Sequence, residues 1–370
     1  MKIGIFVTEA LYDQRRKNTI SGHVQVPIQT ANILCQNGHN VTIITNEAPE
    51  GYGVPEFTDD DIDLSTVSSI HGHWKDDNID KINSLKMISN LKNIINSGNF
   101  DKIHFFGSHR VAYLLSVLDL LGVDAESHMT FTIYPGRTKL PSMLEKQLLK
   151  RIDIVSSLTE YTAQQVPRNA IDIMQPGIIK NVRSATASRA PFDNFVLFWR
   201  NADWVNGGDI CRTAYSALVE EYPEIDFVYA TRPNVEFEQE IKKDAENHSN
   251  IHVLTYPYEE ALTIEDLVVS ATVVVLPFRR LSINPQFAVL ESMAAGTPVI
   301  TTPVESNVDI IQHKENGYLV PPSANDVTEA ITWALNHTKQ MMDIGEQAEQ
   351  SINKRWNWDT YEESLMTHYE

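Results

Sequence analysis

The sequence predicts an α/β protein built from two doubly wound parallel-sheet, Rossmann-like domains. Short β-branched runs alternate with helical patterns along all 370 residues, which is the signature of a parallel sheet. The alternation runs twice, with one polar interruption near residue 185. The length also exceeds what one hydrophobic core comfortably serves, so two domains of ordinary size are expected.

In the first half the strand runs are Ile3 to Val7, Val41 to Thr45, Lys102 to Phe106, Met129 to Ile133 and Ile154 to Ser157. Between the first two, Val26 to Asn37 carries apolar residues at helical spacing and stops at Gly38, giving a βαβ unit. Gly51 to Asp77 is acidic and weakly periodic, which predicts a long loop or insertion. Gln175-Pro176-Gly177 and the polar stretch Arg183 to Pro191 read as the linker, dividing the chain into domains 1–184 and 185–352. The second half repeats the pattern with Phe195 to Phe198, Asp226 to Ala230, Ile251 to Leu254, Thr272 to Leu276 and Pro298 to Thr301. Trp356-Asn357-Trp358-Asp359, with Tyr361, Leu365 and Tyr369, predicts an amphipathic terminal helix over 353–370 that packs back on the first domain. Parallel sheets bind ligands beyond the carboxyl ends of their strands, so a site is expected in a cleft that the two sheets face.

Composition narrows the partners. With 42% hydrophobic and 21% charged residues the chain is globular. Its net charge of −19 repels nucleic acid and anionic lipid, so an anionic ligand needs a local basic pocket. No nucleic-acid partner is expected. The longest apolar stretches, such as Val273-Val274-Val275-Leu276, are far shorter than a membrane helix, which leaves peripheral membrane contact open. The amino-terminal strand pattern leaves no room for a signal peptide, and Cys35 and Cys211 lie far apart without a metal-type cluster. A cytoplasmic protein is expected, and oligomeric state cannot be read.

The chemistry concentrates in Leu276-Pro277-Phe278-Arg279-Arg280 and Asn284-Pro285-Gln286-Phe287-Ala288-Val289-Leu290-Glu291, continuing to Gly296-Thr297-Pro298. A buried strand ends at Leu276-Pro277 and a helix starts near Pro285, so free N–H groups around Gln286 and Phe287 are placed to hold a diphosphate. Glu291 lies further into that helix. This stretch resembles the donor-binding signature of GT-B glycosyltransferases of the retaining family four type (glycosyl transferases group 1), which use nucleotide sugars. The resemblance implies that Glu291 accepts hydrogen bonds from the two ribose hydroxyls, a task suited to two carboxylate oxygens.

Phe195-Val196-Leu197-Phe198-Trp199-Arg200 is a strand ending in an arginine and is similar to the family's diphosphate-pairing segment; bidentate geometry suits Arg200 to that role. The lysine the family places within a turn of it is replaced by Asn206, before Gly207-Gly208. Arg279 and Arg280 are candidates for the missing charge, beside the alternative of ordinary surface arginines. In the first domain Ser21-Gly22-His23-Val24 resembles the glycine-rich loop that approaches the donor phosphate, with Gly22 permitting close backbone approach. Lys102-Ile103-His104 with Gly107-Ser108-His109 resembles the histidine motif facing the acceptor, making His104 and His109 catalytic candidates; a satisfied core histidine is the equal alternative for His104. Gly38-His39-Asn40-Val41, Glu315 to Val320 and the terminal helix follow the family's order.

Two further departures join Asn206. A glutamate eight positions before the ribose glutamate is frequent in the family, and here that place holds Ile283. Tyr134 occupies the place of a catalytic-site histidine, where its phenol can still hydrogen-bond a sugar.

The resemblance implies a hexosyl- or related transferase of glycan biosynthesis. It would move a sugar from a nucleotide diphosphate sugar, UDP- or GDP-linked, to a sugar, glycan, lipid-linked or small-molecule acceptor hydroxyl, with retention. No cofactor beyond that donor substrate is expected, and no metal. A nucleotide-sugar epimerase on the same plan, or a catalytically weak sugar-nucleotide-binding protein, is the alternative reading.

Overall fold

The computed structural model describes residues 1–7, 22–46, 61–67, 81–133, 140–178, 189–258 and 262–370. It divides into two compact units, Met1–Pro176 with Tyr361–Glu370, and Gly177–Thr360. The break falls at Pro176/Gly177, a few residues before the boundary drawn from the polar stretch; residues 183–188 of that stretch lie outside the described residues.

The first unit holds strands β1 (Lys2–Phe6), β2 (Asn40–Asn46), β3 (Asp63–Val67), β4 (Lys102–Gly107), β5 (Glu126–Phe131), β6 (Ile154–Ser157) and β7 (Asp172–Ile173). They form a parallel sheet in the order β3-β2-β1-β4-β5-β6-β7. The reversal between β1 and β4 is the switch point of a doubly wound sheet. Helices α1 (Gly22–Gln36), α2 (Lys81–Gly98), α3 (His109–Leu120), α4 (Ser142–Leu149) and α5 (Glu160–Gln165) connect them. Within the segment 51–77, where a long loop or insertion was expected, lies strand β3: Asp63-Leu64-Ser65-Thr66-Val67 pairs with β2 from Thr42↔Asp63 to Asn46↔Val67. An edge strand needs only one ladder of backbone bonds, so it forms here without an apolar run.

The second unit holds β8 (Phe195–Phe198), β9 (Asp226–Thr231), β10 (Ile251–Thr255), β11 (Val273–Leu276), β12 (Val299–Thr301) and β13 (Tyr318–Leu319), in the parallel order β10-β9-β8-β11-β12-β13. Its helices are α6 (Gly208–Leu218), α7 (Glu238–Asn247), α8 (Ile264–Ser270), α9 (Phe287–Ala294), α10 (Asn307–Ile310), α11 (Ala324–Asn336) and α12 (Thr338–Arg355). Strand β8 and strand β11 are buried throughout, which explains their unbroken apolar runs rather than alternation. The core places Phe198, Tyr215, Phe227, Tyr229, Val275 and Ile331 in one cluster.

The last helix, α13 (Trp358–Met366), begins in the second unit, and from Tyr361 onward the chain belongs to the first. Tyr361, Leu365 and Tyr369 are buried. The Tyr361 hydroxyl lies 2.7 Å from Thr30 Oγ1 on α1, and Asn37 Nδ2 donates to Glu362 Oε1 at 2.7 Å. Among the described residues no helix is long and apolar enough to cross a membrane.

Candidate functional site

The two segments singled out in the second half meet beyond the carboxyl ends of β8 and β11, the neighbouring strands on either side of this unit's switch point. Trp199 Nε1 donates to Ser292 Oγ on α9 at 3.1 Å, which fixes the end of β8 against that helix. The next residue, Arg200, then reaches the helix entrance, and its Nη2 donates to Gln286 Oε1 at 2.8 Å. Gln286 is the N-cap of α9 and is 1% exposed. An arginine therefore stands beside a helix N-terminus whose first N–H groups have no acceptor within the helix. Two sources of positive potential converge there, the arrangement that binds phosphate.

Helix α9 is buried along its whole length, Phe287 at its first position included. Glu291 is its fifth residue and is only 4% exposed. An ionised carboxylate is held inside a protein only when hydrogen-bonded or paired, so this position sets it apart from the surface helix glutamates it could be taken for. The helix ends at Gly296, whose φ of +73° is the left-handed C-terminal stop glycine provides.

The remaining candidates in this unit divide. Asn206 does not extend toward a ligand: its backbone N and its Nδ2 both donate to Asp203 Oδ1, at 2.9 and 2.8 Å, and brace the turn into α6. Gly207 follows at φ +76°, where a Cβ would stand 2.1 Å from Pro277 O, so the loop after β8 packs directly on the loop after β11. Arg279 corrects the expectation of a spare cation. Its Nη1 and Nη2 grip Asp209 Oδ1 and Oδ2 at 2.5 and 2.7 Å, and Nη1 also donates to Trp204 O at 2.8 Å. Its guanidinium lies 4.8 Å over the Trp204 ring. Burial works to raise the Asp209 carboxyl, but the hydrogen bonds and charge of Arg279, with backbone N–H groups, hold it below the ordinary carboxylate range. The charge of Arg279 is therefore neutralised within the fold, tying α6 to the end of β11. Arg280 is exposed and its charge acts on Glu305.

Glu305 is a member of this neighbourhood that sequence reasoning missed. It sits in the turn after β12 and carries no motif to flag it. Its Oε2 accepts from Asn284 Nδ2 at 2.9 Å, and its Oε1 from the Leu281 backbone N at 3.4 Å, across the loop that contains Ile283. Ile283 itself is buried, packed where the family frequently has a carboxylate. Burial raises the Glu305 carboxyl above the ordinary range, against the opposing effects of Asn284, the Leu281 N–H and Arg280.

In the first unit the two histidines occupy different settings. His104 is fully buried in β4, its Nε2 2.7 Å from Thr130 Oγ1 and its Nδ1 2.9 Å from the Tyr369 hydroxyl. Its ring stacks on His128 at 3.8 Å. Burial, then His368 and Lys102, push its pKa well below the usual imidazole range. This placement corrects the acceptor-facing reading: both nitrogens are satisfied inside the fold, and His104 is a core histidine. His109 begins α3, 4% exposed, with Nε2 2.9 Å from Glu145 Oε1. The Tyr113 hydroxyl donates to the same oxygen at 2.9 Å. A carboxylate against one ring nitrogen orients an imidazole. Gly22 is the first residue of α1; the rest of its loop, Ser21 included, and Tyr134 lie outside the described residues. Among the described residues no group of three or more His, Cys, Asp or Glu side chains is placed to hold a metal ion.

Residues 186–351 match the family model described as glycosyl transferases group 1. An uncharacterized glycosyltransferase of Methanocaldococcus jannaschii is 31% identical over 113 residues, which are 29% of this chain and 27% of that one. The match thus spans about a quarter of that relative. Among solved structures, a sucrose-phosphate synthase from Thermosynechococcus elongatus superposes with a TM-score of 0.77 at 16% identity, over 100% of this chain and 98% of that one. A glycosyltransferase from Rickettsia africae gives 0.71 at 15% identity, covering 100% and 97%. An Anabaena protein in complex with UDP-glucose gives 0.68 at 12%, covering 100% and 99%. At such identities these structures establish architecture. Residues 186–351 are thus similar to the glycosyl transferases group 1 family, and the two parallel-sheet units have the GT-B architecture of known glycosyltransferases.

Proposed function

We propose that the chain is a glycosyltransferase that takes a sugar from a nucleoside diphosphate sugar and passes it to an acceptor hydroxyl with retention of configuration. The observation that carries this reading is the Arg200–Gln286 hydrogen bond, which brings a cation to the N-terminus of α9 with a buried glutamate four residues after its first position. Arg200 and the N–H groups at Phe287 and Ala288, which have no acceptor within the helix, hold the diphosphate and stabilise the negative charge that grows on it as the sugar leaves. Glu291 fixes the nucleoside through its ribose hydroxyls, and the requirement for paired acceptors there selects a ribose over an unrelated anion. His109, oriented by Glu145, is the acceptor-side candidate, since an imidazole can exchange a proton with a hydroxyl. UDP- and GDP-sugars are the donors to test first, one of the neighbours having been solved with UDP-glucose. The donor is itself the substrate and no further cofactor enters the scheme. Cys35 and Cys211 form no disulfide, which suits a cytoplasmic setting.

Purified protein incubated with UDP- and GDP-sugars and a panel of sugar, glycan and lipid-linked acceptors is expected to release nucleoside diphosphate, faster with acceptor present. Anomeric analysis of the product by NMR tests retention. Tight binding without release would instead mark a sugar-nucleotide-binding protein. Interconversion of the sugar without transfer would mark an epimerase.

A further inference from the structure

Glu305 holds a backbone conformation that its side chain does not favour. Its φ is +47°, the left-handed region where glycine and asparagine are the usual residues. Such strain persists where something else requires the side chain. The carboxylate is half-buried and braces Asn284 and the Leu281 N–H, while Asn284 Oδ1 in turn accepts from Ser306 N at 3.1 Å. Asn284 thus ties segment 284–286 to segment 305–307.

On those two segments, three side chains are buried with a polar atom that has no hydrogen-bond partner among the described residues. They are Gln286 Nε2, Ser306 Oγ and Asn307 Oδ1, on residues 1%, 0% and 0% exposed. Each such atom left unmatched is destabilising, and native proteins hold few of them. Gln286 cannot be relieved by rotating its amide, because Arg200 offers a proton to its oxygen. Ser306 and Asn307 follow Glu305 directly, and Gln286 caps the helix at the diphosphate end of the site. The combination is one acidic acceptor, one amide donor, one hydroxyl and one amide oxygen next to the place where a diphosphate binds. That inventory matches a polyhydroxylated ring, whose hydroxyls each donate and accept.

We propose that Glu305, with Ser306, Asn307 and Gln286, forms the subsite that reads the hydroxyls of the transferred sugar, Glu305 taking up the acidic role that Ile283 does not supply. This rests on the nucleotide-sugar reading above. Glu305 is then a specificity-determining residue: its two oxygens accept from sugar hydroxyls, and the strained turn is what brings them to the loop.

The test is calorimetric titration of the full chain with UDP and UDP-glucose, and with GDP and GDP-mannose. The unsubstituted protein and the Glu305→Gln, Glu305→Ala and Ser306→Ala variants are compared, each checked for an unchanged melting transition. Glu305→Ala is expected to weaken the nucleotide sugar by about ten- to a hundredfold, the worth of a hydrogen bond to a charged acceptor, while the bare nucleoside diphosphate stays within about twofold. Glu305→Gln falls between. Ser306→Ala removes a hydroxyl that has no hydrogen-bond partner among the described residues, so the protein stays folded and loses only affinity for the sugar-bearing ligand. Equal losses for nucleotide and nucleotide sugar would make Glu305 a loop brace and overturn the proposal, as would unchanged sugar-nucleotide affinity in both Glu305→Ala and Ser306→Ala. If the unsubstituted protein binds none of the four ligands, it is the nucleotide-sugar reading that fails, and this subsite fails with it.

Discussion

Arg279 offers the sharpest test of how the site divides structural from ligand-binding charges. The perturbation is Arg279→Ala, Asp209→Ala and the double variant. Arg279 grips both oxygens of Asp209, donates to Trp204 O and covers the Trp204 ring. The pair reaches solvent, with side chains 19% and 37% exposed, so its charge-assisted bonds are discounted to about 1–2 kcal/mol. The backbone bond and ring contact add roughly 1 kcal/mol more to the loss from Arg279→Ala. Arg279→Ala should therefore destabilise the second unit by about 2–3 kcal/mol and Asp209→Ala by about 1–2 kcal/mol, with a coupling of about 1–2 kcal/mol in the double-mutant cycle. For a unit of this size that lowers the melting temperature by roughly 4–12 °C for Arg279→Ala. Calorimetric melting at neutral pH reads it. The folded Asp209 carboxyl titrates below its unfolded value. Its contribution is thus complete above about pH 4 and is lost as the pH falls through the folded pKa. The gap between the unsubstituted protein and Arg279→Ala should narrow under that acidification. Unchanged stability in Arg279→Ala, combined with a tenfold loss of nucleoside diphosphate affinity, would refute the reasoning and return Arg279 to the diphosphate.

Other consequences are as direct. Arg200→Ala should weaken binding of a nucleoside diphosphate by about tenfold or more while leaving the free nucleoside unchanged, since only the charged partner is lost; equal losses for both ligands in parallel titrations would deny it the diphosphate. Gly207→Ala places a Cβ 2.1 Å from Pro277 O at φ +76°, and should cost several kcal/mol or abolish folding of the second unit, beyond the roughly 1–2 kcal/mol of a left-handed alanine; near-normal melting would show that the two loops are not packed as described. His104 and His128 both titrate well below the ordinary imidazole value, burial being the first cause in each. The unfolded chain therefore gains protons below about pH 6.5 that the folded unit refuses, so stability present above that pH falls beneath it, by up to about 1.4 kcal/mol per pH unit for each histidine. Melting of the first unit followed from pH 8 to 5 should show that decline, and a flat profile would place those imidazoles in water.

The alternation of strands and helices was legible because parallel strands buried on both faces leave continuous apolar runs such as Val273-Val274-Val275-Leu276. Strand β3 was not, since an edge strand of Asp63-Leu64-Ser65-Thr66-Val67 needs a neighbour more than a pattern. The start of α9 near Gln286 and the place of Glu291 on that helix were legible because both are set locally. What escaped was set by contacts across the chain. The partner of Arg279 lies 70 positions earlier, so its neutralisation cannot be seen in Arg279-Arg280 itself. His104 has one of its partners at Tyr369, so its commitment to the core depends on where the terminal segment docks. Glu305 meets Asn284 only because β11 and β12 are neighbours in the sheet.

The central claim is that the second unit holds a nucleoside diphosphate at α9 with its ribose on Glu291. Titration of UDP and GDP into the unsubstituted chain and into Glu291→Ala and Glu291→Gln tests it most directly. Saturable binding to the unsubstituted protein is expected, weakened by about 1–3 kcal/mol in Glu291→Ala. The corresponding 2′,3′-dideoxy nucleotides, which have no ribose hydroxyls to offer, should bind both proteins alike. Identical affinity of UDP and GDP for the unsubstituted protein and Glu291→Ala would contradict the account.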